Sequence, residues 1–260
     1  MLRFSANLSM MFTEHSFLDR FATAAAAGFA AVEFMFPYDF SAAEVAKNLT
    51  DAGLELVLFN MPPGDWAAGE RGLAALPGRE EEFRTGVAKA LAYAQTLSCK
   101  RLHAMAGITA HLDRAACEAT YIENIRFAAD LLVGAGITVQ LEPINNRNMP
   151  GYFLSRQAEA LALIDRIDRP NVSIQLDLYH AQIMEGDLTK LIQAMQGRFS
   201  HVQIASVPDR HAPDEGEVNY PYLYNVLDQI GYDGWIGCEY NPRGETTASL
   251  GWFADYRVQK

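Results

Sequence analysis

The most constraining feature of this sequence is an eightfold alternation of short β-rich runs with longer amphipathic stretches. Each run is bounded by Gly, Pro, Asn, Asp or Ser, residues that commonly end strands. Strands that alternate with helices pair in parallel through right-handed crossovers, and eight such units close into a sheet without an exposed edge. The pattern therefore predicts an α/β protein with a (β/α)8 TIM-barrel architecture. The predicted strands span residues 3–9, 29–36, 54–60, 100–106, 137–143, 171–177, 200–206 and 234–240.

The segments between these runs carry recognisable helix ends. Ser41 and Glu44 match a capping box, and Gly53 can take the left-handed conformation that ends a helix. These signals predict a helix that begins after Ser41 and ends at Gly53. Further helix boundaries are predicted at Ser16, Gly28, Ser155, Asp187, Gly197 and Pro221.

The chain has the length of one barrel with a large core, since 50% of its 260 residues are hydrophobic. We therefore expect a single domain over residues 1–260. Its three cysteines, Cys99, Cys117 and Cys238, lack the CxxC spacing of a redox or metal site, and their odd number suits a reducing compartment. We expect free, packed thiols in a cytoplasmic protein.

The charge of the chain limits its partners. The 21 Lys and Arg residues against 32 Asp and Glu give a net charge of -11, which repels nucleic-acid phosphates and anionic membranes. No stretch approaches the roughly 20 apolar residues of a membrane span, and Ser5, Asn7 and Ser9 interrupt any signal-peptide core. We expect a small sugar acid as the partner, with neither nucleic acid nor membrane, and a homo-oligomer is left open.

Four polar residues lie at or next to the C-terminal ends of predicted strands five to eight: Glu142, Asp177, Gln203 and Glu239. In a barrel these ends converge on one rim, where catalytic residues gather. Because side chains alternate along a strand, the four residues face the barrel interior while their apolar neighbours face the helices. The sequence therefore predicts that they surround one point.

Carboxylates gathered in this way repel one another and lose hydration unless a cation neutralises them. Three carboxylates and an amide oxygen suit Mg²⁺ or Mn²⁺, whereas Zn²⁺ favours His and Cys. The alternative is a set of interior ion pairs with Arg or Lys. Because four strand ends match, we predict one divalent metal ion held by Glu142, Asp177, Gln203 and Glu239.

Further polar residues are placed to contact a substrate at this rim. His180 lies three residues beyond Asp177, where the predicted strand gives way to a loop, so it can reach a substrate oxygen, with a buried structural histidine as the alternative. Arg210 lies in the long loop 207–220 and can clamp a carboxylate through two hydrogen bonds, with a solvated arginine as the alternative. The predicted substrate contacts are His180, Arg210, His103, Asn60, Asn7 and Trp66.

Two residues are harder to place. Trp66 belongs to the second long loop, residues 61–79, and can either cover the site or shield apolar surface. Glu33, in predicted strand two, faces the interior, but the sequence identifies no partner for it.

Several segments match those of a known family: MLRFSANLSMMF, VEFMFPYDF, PPGDWAAGERG, PGREEEFR, LEPIN, QLDLYHAQIMEGDL, HVQIA, PDRHAPDEGEVNY and IGCEY. Through them the chain resembles the hydroxypyruvate isomerase family, within the larger group of xylose-isomerase-like barrels. The resemblance covers nearly the whole chain, and PGDWAAGERG, GEVNY and GCEY are specific to the family rather than to the fold.

This resemblance implies an activity. The family interconverts hydroxypyruvate and 2-hydroxy-3-oxopropanoate (tartronate semialdehyde), which requires a metal-stabilised enediolate between the two. The glutamates of the LEP and CEY motifs, here Glu142 and Glu239, are implied as the acid/base pair. Such a reaction needs no nucleotide cofactor.

Other functions remain open beside this one. A closely similar group acts on 2-oxo-tetronate, and ketose 3-epimerases and sugar-acid dehydratases use related chemistry. More distant alternatives are a metal-dependent AP-endonuclease-like nuclease and a non-catalytic sugar-acid binding protein. The net charge of -11 and the presence of Gln203, where related epimerases often carry His, disfavour the nuclease.

Overall fold

The computed structural model describes residues 2–257, so positions 1 and 258–260 of the predicted domain lie outside the described residues. Eight parallel strands are hydrogen-bonded in sequence order, and β8 closes the sheet onto β1. The predicted barrel is confirmed: each strand lies inside its predicted run, except that β7 begins one residue before it. The strands are β1 Arg3–Asn7, β2 Ala31–Phe34, β3 Glu55–Asn60, β4 Arg101–His103, β5 Thr138–Leu141, β6 Val172–Asp177, β7 Phe199–Ile204 and β8 Trp235–Cys238.

Residues 2–257 contain eight α-helices around the barrel: one follows each strand from β1 to β5 and one follows β7, two follow β6, and only short 3-10 helices follow β8. Within residues 2–257, every helix is too short or too polar to cross a membrane. The helices are α1 Arg20–Ala26, α2 Ala42–Ala52, α3 Glu80–Leu97, α4 Arg114–Leu132, α5 Gln157–Ile167, α6 Leu178–Met184, α7 Leu188–Ala194 and α8 Tyr220–Gln229.

Helix α2 has the ends that its sequence predicts. The Glu44 N–H donates to Ser41 Oγ at 3.3 Å, and the Ser41 N–H donates to the Glu44 carboxylate at 3.0 Å. Gly53 ends the helix at φ 66°, a left-handed conformation that suits glycine. The capping box is confirmed.

Helix α5 begins one residue later than predicted, because Arg156 rather than Ser155 is its N-cap. Arg156 is still extended, with φ −130° and ψ 144°, so the prediction that Ser155 opens the helix was wrong. The first helical N–H, that of Gln157, instead donates to the carboxylate of Glu185 at 3.1 Å. The cap comes from a residue distant in sequence, which a local motif does not reveal.

The barrel interior holds a small apolar cluster that is separate from the larger core between strands and helices. Two residues further along β2 and β8 lie Glu33, which is fully buried, and Gly237. Glu33 thus places a polar group in the layer directly below the rim that the C-terminal strand ends form. The apolar cluster consists of Ala31, Val57, Leu58 and Trp235.

The long loop after β3 is anchored rather than free. Gly72 pairs in a β-bridge with Ala106, just beyond β4, and has φ 115°. A Cβ at this position would overlap the Met105 backbone carbonyl. Glycine is therefore required where this loop approaches the chain after β4.

Candidate active site

Three carboxylates meet at the rim formed by the C-terminal ends of the strands. Glu142 directly follows β5, Asp177 ends β6, and Glu239 directly follows β8. One ligand atom from each, together with one from His180, lies within 4.8 Å of the others, and all four residues are buried. The fold therefore brings three of the four predicted metal ligands together with a histidine.

Burial and mutual repulsion disfavour the charged forms of these carboxylates. Burial raises the pKa of Glu142 well above its usual range, and the charges of Glu239 and Asp177 raise it further. Burial also raises the pKa of Asp177, and that of Glu239 to about 8, although Arg210 opposes both shifts. A cluster of this kind is stabilised by a bound cation.

Two carboxylate oxygen atoms of the cluster are buried without a hydrogen bond from the described residues. Glu142 Oε1 and Asp177 Oδ2 are buried and have no hydrogen-bond partner within residues 2–257. A buried acceptor without a partner is costly, by about 1–3 kcal/mol and more when it is charged. Oxygen atoms that are close together, buried and unpaired fit a divalent cation, and the residues present can therefore hold one.

The fourth predicted ligand, Gln203, lies one residue before the end of β7, beside Asp177 in register. Its Nε2 donates to Glu33 Oε1 at 2.7 Å, and its Oε1 accepts a hydrogen bond from Gln175 Nε2 at 2.6 Å. A carbonyl oxygen has two lone pairs, so one acceptor position on Oε1 remains for a cation.

Arg210 reaches into the cluster from the loop after β7. Its Nη2 lies 2.6 Å from Glu239 Oε2 and 3.6 Å from Asp177 Oδ2, and its guanidinium stacks on the ring of Tyr179 at 4.9 Å. The side chain is only 19% exposed, so the alternative of a solvated surface arginine was wrong. Burial lowers its pKa, but the neighbouring carboxylates outweigh this and raise it.

His180, in the first turn of α6, also approaches the cluster. The loop after β5 orients its ring. The Asn145 N–H points at His180 Nδ1 at 3.4 Å, and the Asn145 side-chain amide nitrogen lies 2.5 Å from the same atom. With Nδ1 facing donors, the ring proton belongs on Nε2, which lies 3.4 Å from Asp177 Oδ2. Burial, with Arg210 and His103 nearby, lowers the His180 pKa well below its usual value. The ring is a neutral donor facing the site.

A cavity of about 330 Å³ opens beside the carboxylates. Five of the six predicted substrate contacts line it, and apolar side chains complete its wall. Trp66 is held there between Phe36, at 5.0 Å between ring centroids, and the guanidinium of Arg71, at 4.0 Å. The lining includes Asn60, Trp66, His103, His180, Arg210, Met35, Met105, Ile144 and Met149.

His103 is a further uncharged group in this wall. Its Nδ1 lies 3.3 Å from Glu142 Oε2, and neither ring nitrogen has an aligned hydrogen-bond partner within residues 2–257. Burial lowers the pKa of His103 to about 3. The imidazole is therefore neutral near pH 7 and is free to bond to a substrate oxygen.

Asn7, the sixth predicted contact, is placed differently. It is not among the cavity-lining residues of the described chain; its Nδ2 donates to Glu239 Oε1 at 3.1 Å and to Glu33 Oε1 at 3.2 Å. Its Oδ1 accepts from the Ser9 N–H at 3.0 Å, so the whole amide is engaged below the rim. Asn7 therefore contacts Glu239 and, contrary to the prediction of a substrate contact, does not line the cavity.

Glu33 has partners that the sequence did not indicate. Its carboxylate is 2.8 Å from His201 Nε2 and also accepts from Ser5 Oγ at 3.1 Å. Burial raises its pKa, but His201 and the hydrogen bonds outweigh this and lower it. The signal that could have found these contacts is positional, because Ser5, Asn7, Glu33, His201 and Gln203 are all inward-facing on adjacent or facing strands.

Together these groups define a class of protein. A closed barrel whose rim holds buried carboxylates, neutral imidazoles and one largely buried arginine around a small cavity has the arrangement of an enzyme active site that could hold a metal ion. The two glutamates come from β5 and β8, three strands apart around the barrel, so they can approach a substrate from different sides.

Comparisons with known proteins place the chain within this class. The family model described as "Xylose isomerase-like TIM barrel" matches residues 21–256, and the chain belongs to that family. The 2-oxo-tetronate isomerase of Cupriavidus necator is 56% identical over 98% of this chain and 99% of its own length. The hydroxypyruvate isomerase of Escherichia coli is 48% identical over 99% of this chain and 100% of its own.

A solved structure is also closely similar. It is titled "AP endonuclease, family 2 from Brucella melitensis", and it superposes with a TM-score of 0.98 at 66% identity over 99% of this chain and 100% of that one. Full-length relatives named as isomerases confirm the prediction of an isomerase of this family.

Proposed function

We propose that this protein interconverts the ketone and aldehyde forms of a short hydroxy-oxo acid, with hydroxypyruvate and 2-hydroxy-3-oxopropanoate as the pair. The observation that carries this proposal is the placement of Glu142 and Glu239 beside one small cavity that Arg210 also lines. Moving protons within a small acid requires a base, an acid and a positively charged side chain that binds the substrate carboxylate. The two glutamates and Arg210 can supply these groups.

The reaction moves the carbonyl from C2 to C3 of the acid. A base removes one proton from C3, an acid delivers one to C2, the C3 hydroxyl loses its proton, and the C2 oxygen gains one. Atoms and electrons balance without an oxidant or a nucleotide. Glu142 and Glu239 are the proposed base and acid, because both line the cavity and come from strands on different sides of it.

The remaining polar groups hold the substrate. Arg210 is proposed to bind the substrate carboxylate through two parallel hydrogen bonds, which orients the C2–C3 bond toward the glutamates. His180 Nε2–H is proposed to donate to a substrate oxygen. His103 and Asn60 line the same cavity and can bond to the hydroxyl group, while Trp66 closes its apolar side.

Glu142, Asp177, Gln203 and Glu239 are the residues that would hold one divalent cation, Mg²⁺ or Mn²⁺. When bound, such a cation stabilises negative charge on the substrate oxygens. Asp177 and Gln203 are proposed as ligands alone, because neither lines the cavity within the described chain.

A second candidate substrate is 2-oxo-tetronate, which is one carbon longer. The relative from Cupriavidus necator that bears this activity in its name is 56% identical, against 48% for the hydroxypyruvate isomerase of Escherichia coli. The cavity of about 330 Å³ has room for either acid beside a cation. The same proton transfer would serve both substrates.

The name of the Brucella melitensis structure raises a nuclease as a different activity. Two features of this chain argue against it. Its net charge is -11, and the rim opens into a small cavity walled by Trp66, Met35 and Met149 rather than into a basic groove. DNA cleavage is therefore not proposed.

The test is an assay of purified, Mn²⁺-loaded protein with hydroxypyruvate and 2-oxo-tetronate in parallel, in heavy water, followed by NMR. The proposal expects deuterium to enter C3 of hydroxypyruvate and aldehyde product to form. Turnover of 2-oxo-tetronate alone would reassign the substrate to the longer acid. No exchange and no product with either acid would overturn the proposal.

A further inference from the structure

Glu33 is the one fully buried carboxylate outside the rim cluster among the described residues, and the proposed reaction does not use it. It lies on β2 in the layer directly below the rim. Its carboxylate faces four donors, His201 Nε2, Gln203 Nε2, Asn7 Nδ2 and Ser5 Oγ, at 2.7–3.2 Å.

This carboxylate fits inside the barrel because position 237 has no side chain. Gly237, on β8, faces Glu33, and a Cβ built at Gly237 would overlap both carboxylate oxygens. Because β8 lies next to β1 and β7, the carboxylate occupies the interior space that a larger residue at position 237 would fill. Glu33 therefore reaches across the barrel to the strands that carry the site.

Two of its contacts lead directly to rim residues. Glu33 Oε1 accepts from Gln203 Nε2, which makes the other atom of that amide, Oε1, the one that remains as an acceptor. Glu33 Oε1 also accepts from Asn7 Nδ2, which donates its second hydrogen to Glu239 Oε1. One carboxylate thus orients an amide ligand and, through Asn7, a glutamate.

We infer that Glu33 is a positioning residue that fixes the orientation of Gln203 and Glu239 for metal binding and proton transfer. The inference rests on the proposed function only in naming Gln203 and Glu239 as metal ligands. Outer partners of this kind commonly set metal affinity by about 10–100-fold without touching the metal.

The chemistry of the amide identifies the sharpest variant. In Glu33→Gln, one carboxylate oxygen becomes an NH₂ group, so a donor would face donors from Gln203 and Asn7 or from His201 and Ser5. If the NH₂ group faces Gln203 and Asn7, either Gln203 turns its oxygen toward position 33 or one donor loses its partner. If it faces His201 and Ser5, which can accept as well as donate, Gln203 and Asn7 keep an acceptor but lose its negative charge. Both arrangements weaken the interactions that orient the rim residues, while the side-chain volume stays almost the same.

The experiment is a calorimetric Mn²⁺ titration of the full chain, with the EPR spectrum of bound Mn²⁺ as a second readout. We expect Glu33→Gln to bind Mn²⁺ about 10–100-fold more weakly and with an altered spectrum. The matched control is Ser5→Ala, which removes one hydrogen bond to Glu33 but touches neither Gln203 nor Asn7. It should bind Mn²⁺ like the parent protein.

Asn7→Ala provides a second variant in case Glu33→Gln does not fold. It removes the hydrogen bonds that link Glu33 to Glu239 and leaves the hydrogen bond between Glu33 and Gln203 in place. We therefore expect kcat to fall while KM changes little, with a smaller loss of Mn²⁺ affinity. Parent-like Mn²⁺ binding and spectra in both variants would overturn the inference, as would an equal loss in Ser5→Ala. Because Mn²⁺ binding needs no substrate, failure of the proposed reaction would leave this result separately readable.

Discussion

The guanidinium of Arg210 donates to the carboxylate of Glu239, with Nη2 2.6 Å from Oε2, and so joins the loop after β7 to the end of β8. The backbone of Arg210 takes φ 59°, unusual for a residue with a side chain, and its N–H donates to the Ser206 carbonyl at 2.9 Å. The loop is thus shaped to direct this side chain inward. The arginine supplies positive charge where three carboxylates meet.

This geometry predicts the effect of Arg210→Lys. Lysine keeps the charge but loses the planar fork, so the substrate carboxylate should bind more weakly while the metal site is largely kept. We expect KM to rise about 10–100-fold, the worth of one hydrogen bond between charged groups, with a smaller change in Mn²⁺ affinity. Steady-state kinetics together with calorimetry check this, and unchanged kinetics would remove Arg210 from the substrate site.

Asp177→Ala and Gln203→Ala test the proposed ligands that lie outside the cavity. Each removes an oxygen ligand, so Mn²⁺ affinity should fall by more than the about 10–100-fold that is typical of outer partners, and activity should fall with it. The far-ultraviolet circular dichroism should stay that of the parent barrel. Full Mn²⁺ affinity in both variants would contradict the proposed metal site.

Stability should depend on pH through His103. Its pKa is lowered to about 3 in the folded protein by burial, against about 6.5 in an unfolded chain. The unfolded chain therefore binds a proton in this window that the folded chain does not. Stability is fully present above about pH 6.5 and is lost as pH falls toward about 3, by at most about 1.4 kcal/mol per pH unit.

His103→Gln removes this titration and serves as the matched variant. Urea unfolding of metal-free parent and variant at about pH 7 and about pH 5 should show a smaller loss of stability in the variant. Equal losses in the two proteins would show that the His103 pKa is not lowered as the structure indicates.

The three cysteines should be unreactive in the folded chain. Cys99, Cys117 and Cys238 are all buried free thiols, and burial raises the pKa of each, that of Cys99 to about 12. Because the thiolate is the reactive form, a thiol reagent should label none of them natively and all three after unfolding. Rapid labelling of the native protein would show that the helical layer opens readily.

The strand ends could be predicted from sequence because residues that break strands bound every run and because a barrel brings these ends to one rim. That reasoning placed Glu142, Asp177 and Glu239 correctly at the rim, although their contacts with a metal stay a prediction. It failed at α5, where the cap of Gln157 comes from Glu185 in a distant segment.

It also failed for Glu33 and Asn7. Both face the interior, as alternation predicts, but their partners depend on how β1, β2 and β7 tilt within the barrel and on the space left at Gly237. A one-dimensional pattern gives the direction of a side chain but not its distance from one on another strand. The layer below the rim therefore required coordinates.

The central claim is that Glu142 and Glu239 transfer protons as well as hold a cation. Glu142→Gln and Glu239→Gln keep side-chain shape and one oxygen but remove the basic carboxylate. The deciding measurement is turnover and C3 deuterium exchange of hydroxypyruvate in heavy water, with each variant saturated with Mn²⁺. We predict that turnover stays at least about 100-fold below the parent and that at least one variant no longer exchanges C3. Parent-rate isomerisation by both saturated variants would contradict the account.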